Sequence, residues 1–239
     1  MTIDSRNLHF KVLNDKIKEA AADVTINNCL GQRFIASGLS GKKITINGTP
    51  GNALGAYLNG AKIIVNGNAQ DAVGDTMNCG EIIVNGSSGD ATGYAMRGGE
   101  IYIQGDVGYR AGIHMKEYNQ KVPVMIVGGK SGSFLGEYQA GGLICVLGLG
   151  CEDSEVISNF TGVGMHRGKI IIRADKIRAE LPKQVSCRRS NDADMEELKP
   201  YLKKFSKLFK VPMEQILSKP FYTLSANSAN PYKQLYVQN

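Results

Sequence analysis

The sequence predicts an all-β chain, wound as a single-stranded parallel β-helix of about seven coils with a helical and extended C-terminal tail. Three observations predict it. First, glycine follows a strand-like run at Gly48, Gly67, Gly86 and Gly105, nineteen residues apart each time, and again at Gly129 and Gly148 with the same spacing. Second, other columns keep that register: Gly55, Gly74, Gly93, Gly112 and Gly136 come seven residues past the marker, and Leu58, Met77, Met96 and Met115 ten past it. Ala61, Gly80, Gly99 and Gly142 come thirteen past. Third, the run before each marker alternates, with aliphatic first and third members: Ile44/Ile46, Ile63/Val65, Ile82/Val84, Ile101/Ile103, Met125/Val127 and Ile144/Val146. Period two means a strand with one face buried. A nineteen-residue repeat broken by glycine corners is too short for a helical repeat and fits one rung of a coil whose neighbours stack at about 4.8 Å.

Taken in order, residues 1–23 form an N-terminal segment, 24–176 the β-helix domain, and 177–239 a basic helical segment and extended tail. The opening stretch MTIDSRNLHFKVLNDKIKEAAA has no apolar core of signal-peptide length, and no run approaches a membrane span. Five scattered cysteines (Cys29, Cys79, Cys145, Cys151, Cys187) form no C-x-x-C pair, so neither a disulfide framework nor a metal cluster is indicated, and a reducing cytoplasm is expected. Within the coils, stacking places Ile63 over Ile44 and under Ile82. Asn47, Asn66, Asn85 and Gln104, just before the markers, are expected to form an amide ladder. Glycine recurs at corners because a bend between short strands needs positive φ. The middle residues Thr45, Ile64, Ile83, Tyr102, Ile126 and Cys145 point outward and make a greasy outer face.

Two coils are longer. KEYNQKVP, between Met115 and Val124, and LGCEDSEVISNFT, between Gly148 and Gly162, add residues that project as loops, surfaces on which solenoids commonly meet partners. The last rung, FTGVGMHRGKIIIRA, matches ATGYAMRGGEIYIQG position by position. Beyond it, Met195, Leu198, Leu202, Phe205, Leu208 and Phe209 fall at helical spacing, with Asn191 or Asp192 as cap and Pro200 breaking or kinking the helix. The tail SANSANPYKQLYVQN reads as extended, with Tyr232, Leu235 and Tyr236 covering another surface.

The formal charge of +6 is unevenly spread: Arg167–Lys210 holds 13 Lys/Arg against 6 Asp/Glu, by count along the chain. Such a balance fits an acidic partner, a nucleic acid, a membrane or, most commonly, a solvated helix face, and charge does not choose between them. GVGMHRG has the spacing of a dinucleotide loop but leads into a strand instead of opening a helix, so it belongs to the repeat. Asp71 and Asp90 share a column four past the marker. Paired carboxylates can bind calcium or hydrolyse glycosides, but the column continues as Asn52 and Tyr109, which favours turn residues. His114 and His166 fall near equivalent points of different rungs, beside Arg110 and Arg167, where they could meet an anion or close a corner. No set of nucleophile, base and oxyanion donors is complete, so no catalytic, cofactor-binding or metal-binding residue is assigned.

The pattern G-x6-G-x5-G with its strand, in GNAQDAVGDTMNCGEIIVNG and GSSGDATGYAMRGGEIYIQG, resembles the GXGXG domain at the C-terminal end of the glutamate synthase large subunit, from Val24 to Ala174. A related domain occurs in a formylmethanofuran dehydrogenase subunit. The resemblance implies a right-handed coil. It also implies a non-catalytic structural role, packing between a glutamine amidotransferase and an FMN- and iron–sulfur-containing synthase component. Cofactors are then expected in the partner subunits and none in this chain. Ile64, Ile83, Tyr102, the two long loops and the basic C-terminal segment are expected to supply the docking surface. Neither a membrane nor a nucleic acid is an expected partner, and a homo-oligomer is compatible with the pattern. The alternatives are a formylmethanofuran dehydrogenase-type subunit and a carbohydrate-active β-helix protein.

Overall fold

The computed structural model describes residues 1–151 and 156–227. Two expectations therefore lie partly or wholly outside the described residues: the middle of the second long loop, and Tyr232, Leu235 and Tyr236 of the tail. The chain runs β1 (Thr2–Asp4), α1 (Phe10–Glu19), β2 (Val24–Leu30), β3 (Lys43–Thr49), β4 (Asn59–Asn66), β5 (Cys79–Val84), β6 (Glu100–Ile103), β7 (Val124–Val127), β8 (Ala140–Val146), β9 (Arg167–Arg173), β10 (Val185–Arg189), α2 (Asp192–Phe209), α3 (Met213–Ile216) and β11 (Phe221–Ala226). β1 to β9 stack in chain order, all parallel, as a β-solenoid; β11 then pairs antiparallel with β9, and β10 with β11. β1 adds a rung below the seven coils read from the repeat.

The register is the one the repeat implies. Ile44, Ile63, Ile82, Ile101, Met125, Ile144 and Ile170 lie opposite one another on successive strands, and every one is fully buried. A second parallel ladder joins Ala69, Ser88, Val107, Ser131 and Ile157. The KEYNQKVP insertion leaves the register of β6 and β7 intact, because it folds back on itself through paired bonds between Tyr118 and Lys121. The amide ladder is present but shifted by one coil. Asn47 Nδ2 donates to Asn27 Oδ1 (2.7 Å), Asn66 to Asn47 (2.7 Å) and Asn85 to Asn66 (3.0 Å), and among the described residues it stops before Gln104.

The corners hold more left-handed backbone than their glycines suggest. Ala53, Ala72, Ala91, Arg110, Phe134 and Phe160 form one column at positive φ, and Tyr57, Thr76, Ala95, His114 and Tyr138 another, on either side of the glycine column. Apart from Phe160 on the last coil, each such residue sends its N–H to the following coil, as Ala72 does to Asp90 (2.8 Å) and Ala95 to Ile113 (2.8 Å), whereas the intervening glycine bonds the preceding one, as Gly74 does to Leu54 (2.8 Å). The corner thus stays hydrogen-bonded in both directions. At Gly55, Gly74, Gly112 and Gly136 of the middle column, glycine is favoured for a second reason. A Cβ at Gly74 would lie 2.5 Å from Ile101 Cδ1, and one at Gly112 would collide with Ile144 Cδ1, because this position faces the aliphatic core.

Both ends of the core are closed. α1 buries Leu13 and Ile17 over the first coil and is tied there by Asn14, which donates to Arg33 O (3.1 Å) and accepts from Ala36 N (3.2 Å). Lys42 Nζ caps the C-terminal carbonyls of α1 at Ile17 and Lys18. At the other end Val185 and Leu224, from the antiparallel pair, complete the same core. Such caps prevent end-to-end association of coils.

α2 starts at the capping box of Asn191 and Asp194 and ends with Lys210 in the left-handed conformation. It continues through Pro200, so the break that the sequence allowed there does not occur. Pro200 sits on the exposed side, and the buried Leu198 and Leu202 flanking it hold the helix against the coil. Buried Arg173 fixes the following segment, donating to Leu147 O, Ile216 O, Gln215 O and Ser218 Oγ at 2.7–3.0 Å.

Gly112→Ala is expected to cost about 2–4 kcal/mol, from added left-handed strain and overpacking against Ile144. Ala91→Gly, at a similar φ but with its Cβ outside the core, is expected to change stability by under about 1 kcal/mol. Urea unfolding of the two variants compares them directly; equal losses would contradict the inward-facing assignment of the glycine column.

Candidate interaction surfaces

The outer face of the sheet is not free. Ile83, Tyr102, Ile126, Cys145 and Ile171 are buried beneath Leu198, Leu202, Phe205 and Phe209 of α2, with Ile216 and Phe221 beside them, and Ile64 is half-buried at the margin. The docking surface expected at Ile64, Ile83 and Tyr102 is therefore occupied by the chain's own helix. A parallel sheet buried on both faces is the common arrangement, and it explains why the outward residues are apolar. Phe205 seats where Gly128 leaves room for it; a Cβ there would come within 2.8 Å of the ring.

Charge fastens this cover at both ends. Near β5 and β6, Lys204 Nζ reaches Glu81 (2.7 Å) and Glu100 (2.6 Å), and Glu81 also pairs with Lys62 (2.6 Å). Burial pushes the Glu81 carboxyl up, but the two ammonium groups outweigh it and hold the pKa below the ordinary value. For Lys204 burial acts downward, and Glu100 and Glu81 reverse it, leaving the pKa raised. Tyr102 donates to Glu100 (2.8 Å) under the Lys204 ammonium, and burial with that bond raises its phenol well above the ordinary range. Near β9, Asp194 accepts from Lys169 (3.0 Å), Arg188 (2.6 Å), Thr223 (3.1 Å) and the Asn191 N–H (3.2 Å). Its burial favours the neutral acid, yet these donors hold it far below the usual carboxylate range. Part of the basic C-terminal segment thus serves folding, while Lys203, Lys207 and Lys210 remain exposed.

Asp71 and Asp90 are corner groups. Asp71 Oδ1 accepts from Asp90 N (2.9 Å) and Asp90 Oδ1 from Tyr109 N (2.8 Å), each carboxylate lying where the next coil has a glycine, Gly89 or Gly108. Both therefore bind one coil to the next. Among the described residues no group of three or more His, Cys, Asp or Glu side chains is placed to hold a metal ion. Burial raises the Cys145 thiol strongly and the Cys29 thiol to about 11, the reverse of what a nucleophilic thiolate needs. No helix among the described residues is long and apolar enough to cross a membrane.

His114 and His166 are not equivalents. His114 is level with Tyr138 and Gly164, whereas His166 lies two residues further along its coil, its N–H bonded to Gln139 O (2.7 Å). The His114 ring stacks on Tyr138, centroids 5.2 Å apart at 9°, and meets Tyr94 edge-on at 6.0 Å. Beside this row runs a second: Arg110 lies 4.8 Å over Phe134, which stacks on Phe160 at 4.9 Å and 20°. Arg110 also pairs with Glu137 (3.0 Å). Tyr94, Tyr109, Tyr138 and Phe160 are 39%, 54%, 37% and 53% exposed, so the corner carries an apolar ridge. Past Phe160 it opens into a recess of about 450 Å³ between Val163, Leu181 and Pro182. The linear sequence hides this ridge because its rings come from neighbouring columns; reading the two positive-φ columns down the register would have found it.

The family model described as the GXGXG motif matches residues 5–227. An uncharacterized protein of Methanocaldococcus jannaschii, MJ1350, is 40% identical over 251 residues, covering 99% of this chain and 96% of that protein. Among solved structures, a chain of the formyltransferase/hydrolase complex of Methylorubrum extorquens, determined in complex with methylofuran, is similar in fold, with a TM-score of 0.63 and 17% identity over 95% of this chain and 91% of that one.

Phe205→Ala is expected to cost about 3–5 kcal/mol and to loosen α2 enough that Cys145 reacts with a thiol reagent under native conditions, in addition to the exposed Cys79 and Cys187. Because the folded pKa of Asp194 is lowered, its contribution is complete above the ordinary carboxylate pKa of about 4 and is lost as pH falls below that value. Asp194→Asn should lower stability by roughly 2–3 kcal/mol at neutral pH and flatten the acid limb of the unfolding midpoint; an unchanged limb would show that other carboxylates set it.

Proposed function

The chain belongs to the GXGXG-motif family, and from that premise we propose that it is a non-catalytic docking subunit of a glutamate-synthase-like complex, positioning a glutamine amidotransferase and an FMN- and iron–sulfur-containing synthase component. The observation that carries this reading is the family match along nearly the whole described chain, in a fold whose recurrent polar residues join coil to coil. The Asn27–Asn85 ladder and the Asp71 and Asp90 carboxylates serve the stiffness of the rod. A stiff spacer suits a reaction in which ammonia released at one site must reach another without escaping to water. FMN and the iron–sulfur cluster belong to the partners in this proposal.

The second reading is a subunit of a formyl-transferring assembly of the formylmethanofuran dehydrogenase type. It is favoured by the bacterial structural relative, which belongs to a multi-subunit formyltransferase/hydrolase complex. Purification of the tagged chain from its native extract separates the two. Recovery of a glutamine-hydrolysing chain together with a yellow flavoprotein is the expected result. A molybdenum- or tungsten-containing formyl-transfer assembly would establish the second reading, and an isolated monomer would overturn both.

A further inference from the structure

With α2 over the outer sheet face and both ends of the core capped, the ridge from Tyr94 to Phe160 is a surface that the described residues leave open. We infer that this corner is where the partner protein docks, its apolar centre on the stacked rings and its carboxylates on Arg97, Lys116 and Arg167. The inference rests on the docking role proposed above and locates it. Backbone bonds set Lys116 level with Arg97 and Ala140 level with Lys116, and strand pairing sets Arg167 beside Ala140, so Arg97 and Lys116 stack just past the His114 and Tyr138 row and Arg167 follows one coil on. All three are exposed, and among the described residues none has a carboxylate within 4.0 Å. The cations already engaged on this corner are different ones: Arg110 is paired with Glu137 and lies against Phe134.

The chemistry of the occupant follows from how the rings stand. His114 lies flat on Tyr138, Phe134 on Phe160, and Arg110 on Phe134, so within these two rows ring faces are spent on one another. A single-stranded nucleic acid needs free ring faces for its bases, and a sugar likewise packs on a ring face. Partly exposed stacked rings beside cations with no carboxylate partner instead fit a folded protein surface with an apolar centre and acidic rim. A second copy docking by the same corner would set the cation column against itself, and Glu137 of that corner is already held by Arg110.

The test uses the partner chains recovered with the wild-type protein, separated from it, purified and titrated against the full chain and its variants. Arg97→Glu with Lys116→Glu is expected to weaken binding roughly 30-fold or more, with strong salt dependence of the wild-type affinity, and Tyr138→Ala with Phe160→Ala by a similar factor. Lys203→Glu with Lys207→Glu, on the exposed side of α2, should change it less than twofold. Unfolding midpoints confirm that each variant is folded, and the charge pair retains the test should the ring pair prove unstable. Undiminished binding by a folded corner variant, loss confined to the α2 variant, or tighter binding of a single-stranded oligonucleotide than of the partner overturns the inference and leaves the docking role standing. A wild-type chain that recovers no partner overturns both.

Discussion

Stacking of one aliphatic column in register on the next is the constraint on which the rest of this molecule depends. Ile44, Ile63, Ile82, Ile101, Met125, Ile144 and Ile170 each occupy the same place in successive coils. Burying a side chain of that size contributes about 1.5–3 kcal/mol, and a slip of one residue would turn the whole column to the outer face. Every other regularity protects that register. The Asn ladder and the Asp71 and Asp90 carboxylates bridge coils on the outside, and the glycine column inside the corner lets isoleucine methyl groups fill the core without a Cβ in their way.

Because the coil is a one-dimensional stack, its faces can specialise. The main sheet face is apolar and is covered by α2, whose lysine and aspartate contacts at opposite ends set where the helix lies along the coil. Those ion pairs are partly solvated, so the apolar contact of Phe205, Leu198 and Leu202 supplies most of the attachment and the charges supply its position. A face that would otherwise invite association is thereby used internally.

The corner behaves differently because its outward residues alternate with inward glycine and methionine. Left-handed backbone at Arg110, His114, Phe134 and Tyr138 directs side chains outward and one above another, and stacked rings follow from the repeat itself. Strain at these positions, about 1–2 kcal/mol for each non-glycine residue, is offset by amide bonds between coils, which tie the ridge to its neighbours.

Fold class, the parallel register, the helix from Asp192 and the corner role of Asp71 and Asp90 were all legible in the sequence, because each depends on a periodicity that survives without knowledge of distant neighbours. The helix α1 is also written there, in the i, i+4 spacing of Leu13 and Ile17, but it lies outside the repeat. What only tertiary structure decided was which surfaces remain open. Apolar outward residues at Ile83 and Tyr102 look the same whether a partner or the chain's own helix covers them, since composition records the need for burial and not its source. His114 and His166 fall near equivalent points along the chain, but one precedes and the other follows the methionine of its coil, and backbone bonds confirm that they are not level. The aromatic ridge exists solely as a vertical neighbourhood of residues some twenty positions apart, created when the coil closes and stacks.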